Sequence, residues 1–200
     1  IQSFTKDGGD KQIMWFLDPP DNRGISLYKI ESDEGNDIMK MYLPAFKKVR
    51  KISSKRKSES FMGSDLSFED LYSRDLDDYS YDISLSDNTN EYIMTSTPKE
   101  NTESIYSKHI SWIGEENLLI TKEESYNKAG TLIKTKEFKY LVIDGFNIVE
   151  EIRVLDIKKK HRTYLKFDNM ILNSGIEDTQ FHEKNLKRIP YNLQKSDEKN

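Results

Sequence analysis

Carboxylates are the residues of this chain best placed to do chemistry. Asp65, Glu69, Asp70, Asp75, Asp77 and Asp78 crowd one short stretch, and a glycosidase-type reaction needs only two carboxylates at a suitable separation, one of them with a raised pKa. Acids packed this densely tend to stay solvated, which removes the desolvation that raises a carboxyl pKa. No catalytic pair is assigned among them. His109, His161 and His182 lie far apart without an HExxH-like spacing, and cysteine is absent. Zinc is therefore not expected, and disulfides, thiolate ligands and a cysteine nucleophile are excluded. The sequence also lacks a phosphate-binding glycine loop, a dinucleotide fingerprint and a nucleophile elbow. The expectation is a protein that is not an enzyme, with no catalytic residues, no metal and no cofactor.

The most concentrated positive charge is KKVRKISSKRK, residues 47–57, with Lys47, Lys48, Arg50, Lys51, Lys55, Arg56 and Lys57. Such a run fits phosphates, anionic headgroups or a partner's acidic surface. It equally fits a solvated strand edge that lysines guard against aggregation. Nucleic acid is not an expected partner, because the run has no interleaved aromatics and the whole chain carries Lys+Arg 31 against Asp+Glu 35, a net charge of -4. No apolar run approaches the roughly 18 residues of a membrane span. The sequence opens on Ile1 rather than Met, so its termini leave export undecided.

What positions these residues is mostly β structure. A length of 200 residues favours one domain, expected over residues 1–190 with a loose tail at 191–200; SSKRKSES (53–60) is taken as a polar loop inside it. Charged residues at 33% with aromatics at 11% indicate a folded protein with a very polar surface. Apolar residues recur with period two in IMWFL (13–17), GISLYKI (24–30) and DIMKMYL (37–43), separated by the turn compositions DPPDNRG and SDEGN. YDISLS, EYIMTS, IYSKHISWI, LLITKEESYN, TLIKTKEFKYLVI, FNIVEEIRVLDI and HRTYLKF continue the pattern, with DNTN, NKAG and DG as links. An antiparallel meander follows. Two short helices are expected, FEDLYSR behind a Ser67 cap with Asp70 in the capping-box position, and residues 178–188.

IMWFL is apolar on both faces, Met14 and Phe16 on one and Trp15 and Leu17 on the other, so a second layer must cover it. Two short helices are too little cover. Aromatic and Met side chains in strands are ordinarily core; the alternative is an apolar ligand cavity under a curved sheet. The candidates for that cavity are Trp15, Leu17, Met39, Met41, Leu43, Phe61, Met62, Leu66, Phe68, Trp112, Phe146 and Phe167, with Met94 nearby in type.

YLPAFKKVRKI followed by SFMGSDLSFEDL resembles the signature of the bacterial outer-membrane lipoprotein-sorting proteins, the LolA-like group. FLDPPDNRG, SWIGEENLLITKEESYNKAG, HRTYLKF and SGIEDTQFHEKNL extend the likeness over residues 13–188. The resemblance implies a mainly β (α+β) fold, a curved antiparallel sheet forming an open or half barrel with a few short covering helices. It also implies a periplasmic carrier that binds lipoprotein acyl chains or another lipid in an apolar cavity. Phe61, Met62, Leu66 and Phe68 would then form a flap turning at Gly63, and the basic run would face anionic headgroups, a membrane surface or an inner-membrane exporter. Relatives are expected to carry an export signal, a leading helix and opening strands ahead of residue 1, where the gating arginine of the best-known carrier belongs, so no gating residue is assigned. The rival reading is an envelope interaction module beside an exporter, without cargo.

Overall fold

The computed structural model describes residues 1–6, 9–32, 37–86 and 90–191. Its strands form two nearest-neighbour antiparallel meanders. β1 (Gln2–Lys6), β2 (Gly9–Trp15), β3 (Ser26–Ser32), β4 (Ile38–Leu43) and β5 (Lys48–Lys51) make a five-stranded sheet in chain order. β6 (Tyr79–Leu85), β7 (Glu91–Pro98), β8 (Tyr106–Gly114), β9 (Ile120–Asn127), β10 (Leu132–Ile143), β11 (Phe146–Asp156) and β12 (His161–Lys166) make a seven-stranded one. Neither sheet closes on itself, so the mainly β, open-sheet expectation holds. β1 and β5 were not among the expected strands. Both are short and polar, and both lie at sheet edges.

Contacts divide the chain into two units, Ile1–Ser53 with Asn173–Asn200, and Ser54–Leu172. The cut falls at the start of SSKRKSES. In the first unit, register aligns Ile13 with Tyr28 and Trp15 with Ser26, Tyr42 and Val49 on one face. Phe181 and Leu186 pack onto that face, with Leu17, Ile30, Ile176 and Ile189 around them. The opposite face buries Leu27, Met39 and Met41, so the strands are apolar on both sides, as read from IMWFL.

The helix expected over 178–188 is not formed; the segment makes 3₁₀ turns at Asp178–Gln180 and Glu183–Lys187. The sheet claims the carbonyls an α-helix would use. Tyr28 Oη donates to the Phe181 carbonyl at 2.5 Å and Ser26 Oγ to that of Leu186 at 2.8 Å. Ion pairs Lys40–Glu183 at 2.6 Å and Lys11–Asp178 hold the flanks. The helix expected at FEDLYSR is likewise a single 3₁₀ turn, Glu69–Leu71.

In the second unit the hairpin signals are realised. Asp144 and Gly145 have φ of 50° and 82°, the left-handed pair of a type I′ turn. At NKAG, Asn127 Oδ1 accepts from the Ala129 and Thr131 amides, both at 3.0 Å. The SDEGN and DNTN links lie mostly outside the described residues, as does the tail beyond Tyr191.

Candidate functional site

The seven-stranded sheet carries two chemically distinct zones on one face. Register sets Ser96, His109, Ser125 and Lys134 in one row and Met94, Ser111, Glu123, Lys136, Val154 and Thr163 in the next. Residues two apart on a strand share a face, so both rows look the same way. Most of this zone is buried, Glu123, Lys134 and Lys136 included.

The segment before β6 caps it. Phe61 to Ser64 is a tight turn, with Met62 and Gly63 at φ of 50° and 76° and the Ser64 amide donating to the Phe61 carbonyl at 2.9 Å. A Cβ on Gly63 would meet nothing within 4 Å, so glycine is required there by conformation rather than space. The Phe61 and Phe68 rings then meet edge-on at 5.8 Å. Ser67 and Asp70 do form the reciprocal capping contacts, Ser67 amide to Asp70 Oδ2 at 2.8 Å and Asp70 amide to Ser67 Oγ at 3.4 Å.

Asp70 has a second role. Its side chain is 1% exposed and accepts from Lys134 Nζ at 2.5 Å, Lys136 Nζ at 2.6 Å, Tyr106 Oη at 3.0 Å and Ser67 Oγ at 2.8 Å. Arg74, from the same segment, pairs with Glu123 of the sheet, which Lys136 reaches at 3.2 Å. The segment thus inserts one acid and one base into a sheet face that supplies the complements. Asp65 adds a third anchor: its carboxylate accepts from Thr163 Oγ1 at 2.8 Å and lies 2.8 Å from His161 Nδ1, while its amide donates to Thr163 at 2.9 Å.

Electrostatics keep the cluster ionised. Burial opposes the Asp70 charge, but Lys136 and Lys134 overcome it and hold the carboxyl far below its usual range. Glu123 sits at about 2, its burial outweighed by Lys136, Arg74 and His109. Lys136 is raised because two carboxylates outweigh its burial, whereas Lys134, facing Asp70 alone at close range, is lowered by burial. His109 is pushed down to about 4 by burial, which the nearby Glu123 only partly offsets. It is neutral at neutral pH, and its Nδ1 is hydrogen-bonded to Ser125 Oγ at 2.9 Å.

One pleat beyond the charged rows the same face turns apolar. Leu85 aligns with Tyr92, Ile113 and Ile120, and Phe138 with Ile152 and Leu165, next to Ile83 and Met94. These residues are half-buried or exposed, Ile83 at 58% and Leu85 at 57%. Every strand of the sheet contributes, which makes a band of partly bare apolar surface where a charged cluster ends. The reverse face is polar: the lining of an open cleft of ≈ 480 Å³ there includes Glu91, Trp112, Thr121, Lys122, Glu137, Lys139 and Arg153, with the Lys122 ammonium 4.2 Å from the Trp112 ring centre.

Within each unit, the residues singled out for a cavity are spread over both faces of the sheet. Trp15 and Leu17 belong to the cluster under Phe181 and Leu186, and Met39 and Met41 are buried on the opposite face of that sheet. Leu43 is half-buried at the end of β4. Phe61, Leu66 and Phe68 are buried in the segment over the seven-stranded sheet, with Met62 half-buried at its turn. Trp112 lies on the reverse face, Phe146 is 57% exposed at the β10–β11 hairpin and Phe167 is half-buried after β12. Lys47, Lys48, Arg50 and Lys51 are exposed around edge strand β5 of the first unit; Lys55, Arg56 and Lys57 belong to the second, where Arg56 pairs with Glu59 at 2.6 Å and Lys57 lies 5.6 Å from the Tyr72 ring. The expectation that the acidic run stays solvated fails at Asp65, which is buried, and at Asp70, whose carboxylate is buried. Lys134 and Lys136 on β10 offset the desolvation of Asp70, and hydrogen bonds from β12 satisfy Asp65. Among the described residues no group of His, Asp and Glu is arranged to hold a metal, and no helix is long and apolar enough to cross a membrane.

A family model described as an uncharacterized protein matches residues 8–188. No curated protein matches the chain. Among solved structures, a DUF1329 family protein from Desulfovibrio piger is 32% identical, with a TM-score of 0.84 over 92% of this chain and 80% of that one. A domain from Vibrio parahaemolyticus, described as a candidate outer membrane lipoprotein-sorting protein, is 28% identical at a TM-score of 0.84, covering 93% of this chain and 81% of that one. A LolA superfamily protein from Nitrosomonas europaea, 18% identical at a TM-score of 0.66 over 89% and 78%, shares the fold. The open antiparallel sheets agree with these likenesses, the fold is that of the LolA superfamily structure, and the chain belongs to the DUF1329 family.

Proposed function

We propose that this protein is a periplasmic carrier that shelters the acyl chains of a lipoprotein, or another lipid, on its way to the outer membrane or beside an envelope exporter. The observation that supports the reading best is the apolar band through Leu85, Tyr92, Ile113, Ile120, Phe138, Ile152 and Leu165 on a LolA-like sheet. Each buried methylene is worth about 0.8 kcal/mol, so exposing a chain of roughly 14 carbons to water costs on the order of 10 kcal/mol. A carrier has to offset most of that cost without retaining its cargo. A band that is half-covered rather than enclosed fits that requirement, because it offers burial and leaves a route of departure. The basic residues from Lys47 to Lys57 serve as contacts for anionic headgroups or for the exporter, and the two units act as one sorting domain over residues 1–190.

The reading is tested by titrating the detergent-free protein with a fluorescent fatty acid. Ile113→Lys, in the middle of the band, is expected to lower uptake by about tenfold or more, because it places a charge against the chain. Trp112→Lys, on the reverse face, is expected to leave uptake unchanged. Equal uptake by both variants, with both still folded by circular dichroism, would remove the band as the cargo surface.

A further inference from the structure

The seven-stranded sheet ends at β6, and that edge is built unlike the other three. An exposed edge recruits foreign strands, so natural edges are blunted by shortness, lysine or proline. β1 (QSFTK, 5 residues), β5 (KVRK, 4 residues) and β12 (HRTYLK, 6 residues) each carry basic residues. β6 (YSYDISL) runs 7 residues without Lys, Arg or Pro. After its first residue every position is exposed.

Its backbone is set to pair outward. The Ser86 amide donates to the Glu91 carbonyl at 2.9 Å and the Lys99 amide to the Asp78 carbonyl at 2.9 Å, at either end of an unbroken register with β7. Antiparallel pairing alternates, so the even-numbered residues between them bond to β7 and the amides and carbonyls of Tyr81, Ile83 and Leu85 face the open edge. The same three side chains stand on the apolar face, 37%, 58% and 57% exposed. Asp82 lies on the other face, and Asp77, Asp78, Glu100 and Glu103 are exposed around the start of the strand.

We propose that the edge of β6 receives an extended segment of a partner protein in which apolar and basic residues alternate. Main-chain hydrogen bonds to Tyr81, Ile83 and Leu85 supply the pairing, the partner's apolar set extends the face those residues form, and its basic set meets Asp82 and the acids beside Asp78. The inference does not rest on the carrier reading, since strand addition needs no bound lipid.

The test uses two fluorescein-labelled octapeptides, one alternating Lys and Val, the other Glu and Val, followed by anisotropy and by hydrogen–deuterium exchange of the protein. The Lys/Val peptide is expected to bind at least about tenfold more tightly, to weaken as salt is added, and to slow exchange within residues 79–85. Asp82→Lys is expected to weaken binding by about tenfold without altering fatty-acid uptake. Ile83→Pro removes an outward amide while keeping the β6–β7 ladder donors, and is expected to abolish binding in a protein that stays folded. Equal binding of both peptides, protection on β12 instead of β6, or slow exchange of the Tyr81, Ile83 and Leu85 amides before any peptide is added would overturn the proposal. Protection of β6 that grows with protein concentration alone would overturn it too, assigning the edge to a second copy of the chain.

Discussion

Asp70 shows how far a residue's role can depart from its local context. It sits in a run of acids and completes a capping pair with Ser67, yet five donors converge on its carboxylate in the interior of the second unit. Removing one member of a buried ion pair strands the other, which typically costs about 3–5 kcal/mol. Asp70→Asn and Lys136→Met are each expected to lose about that much in urea unfolding, and the double variant less than their sum, since the two share one interaction. His109 sets a pH dependence of definite sign. Its folded pKa of about 4 lies below the ordinary 6.5, so the unfolded chain takes up the proton first and stability falls as pH drops from about 6.5 to about 4, by about 3 kcal/mol. Glu123, at about 2 against 4.5, adds a loss of the same sign below about pH 4.5. In His109→Gln, unfolding free energy measured between ~pH 7 and ~pH 5 should be nearly flat; an unchanged slope would place the titration elsewhere. Beyond the Ser67–Asp70 capping pair, which the sequence signals, this cluster was not legible. On TKEESYN and LIKTKEF, Lys122, Glu124 and Glu137 are as polar as Glu123, Lys134 and Lys136, so alternation gives no inside face.

At the scale of elements, the strands and turns were readable because they follow local rules. Period two marked β2 to β4 and β6 to β12, and Asp144–Gly145 has the backbone its dipeptide demands. The 3₁₀ segments were not readable, because tertiary bonds decide them: Tyr28 and Ser26 bind the Phe181 and Leu186 carbonyls from a distant strand. Short helices are marginal without support, and here the sheet competes for their acceptors. The turn at Met62–Gly63 has a sharper consequence. Gly63→Val keeps space for its side chain but not the φ of 76°, so a loss of about 1–2 kcal/mol is expected in urea unfolding, with Gly63→Asn milder. If valine cost nothing there, the turn would not be under backbone control.

At the scale of the whole molecule, family membership and an apolar band support carriage, and the basic residues have a separable role. Reversing Lys47, Lys48, Arg50 and Lys51 to Glu is expected to slow transfer of a fluorescent fatty acid to anionic vesicles while leaving its binding to the protein unchanged, and the difference should shrink as salt is raised. Loss of binding instead would tie those residues to the cargo surface. The central claim is that an acylated molecule rides on this protein. Native mass spectrometry of the chain purified without detergent, followed by organic extraction of whatever travels with it, tests that claim most directly. The account predicts a co-purifying acyl-chain species that is lost in Ile113→Lys; a bare protein mass together with no uptake of fluorescent fatty acid would contradict it.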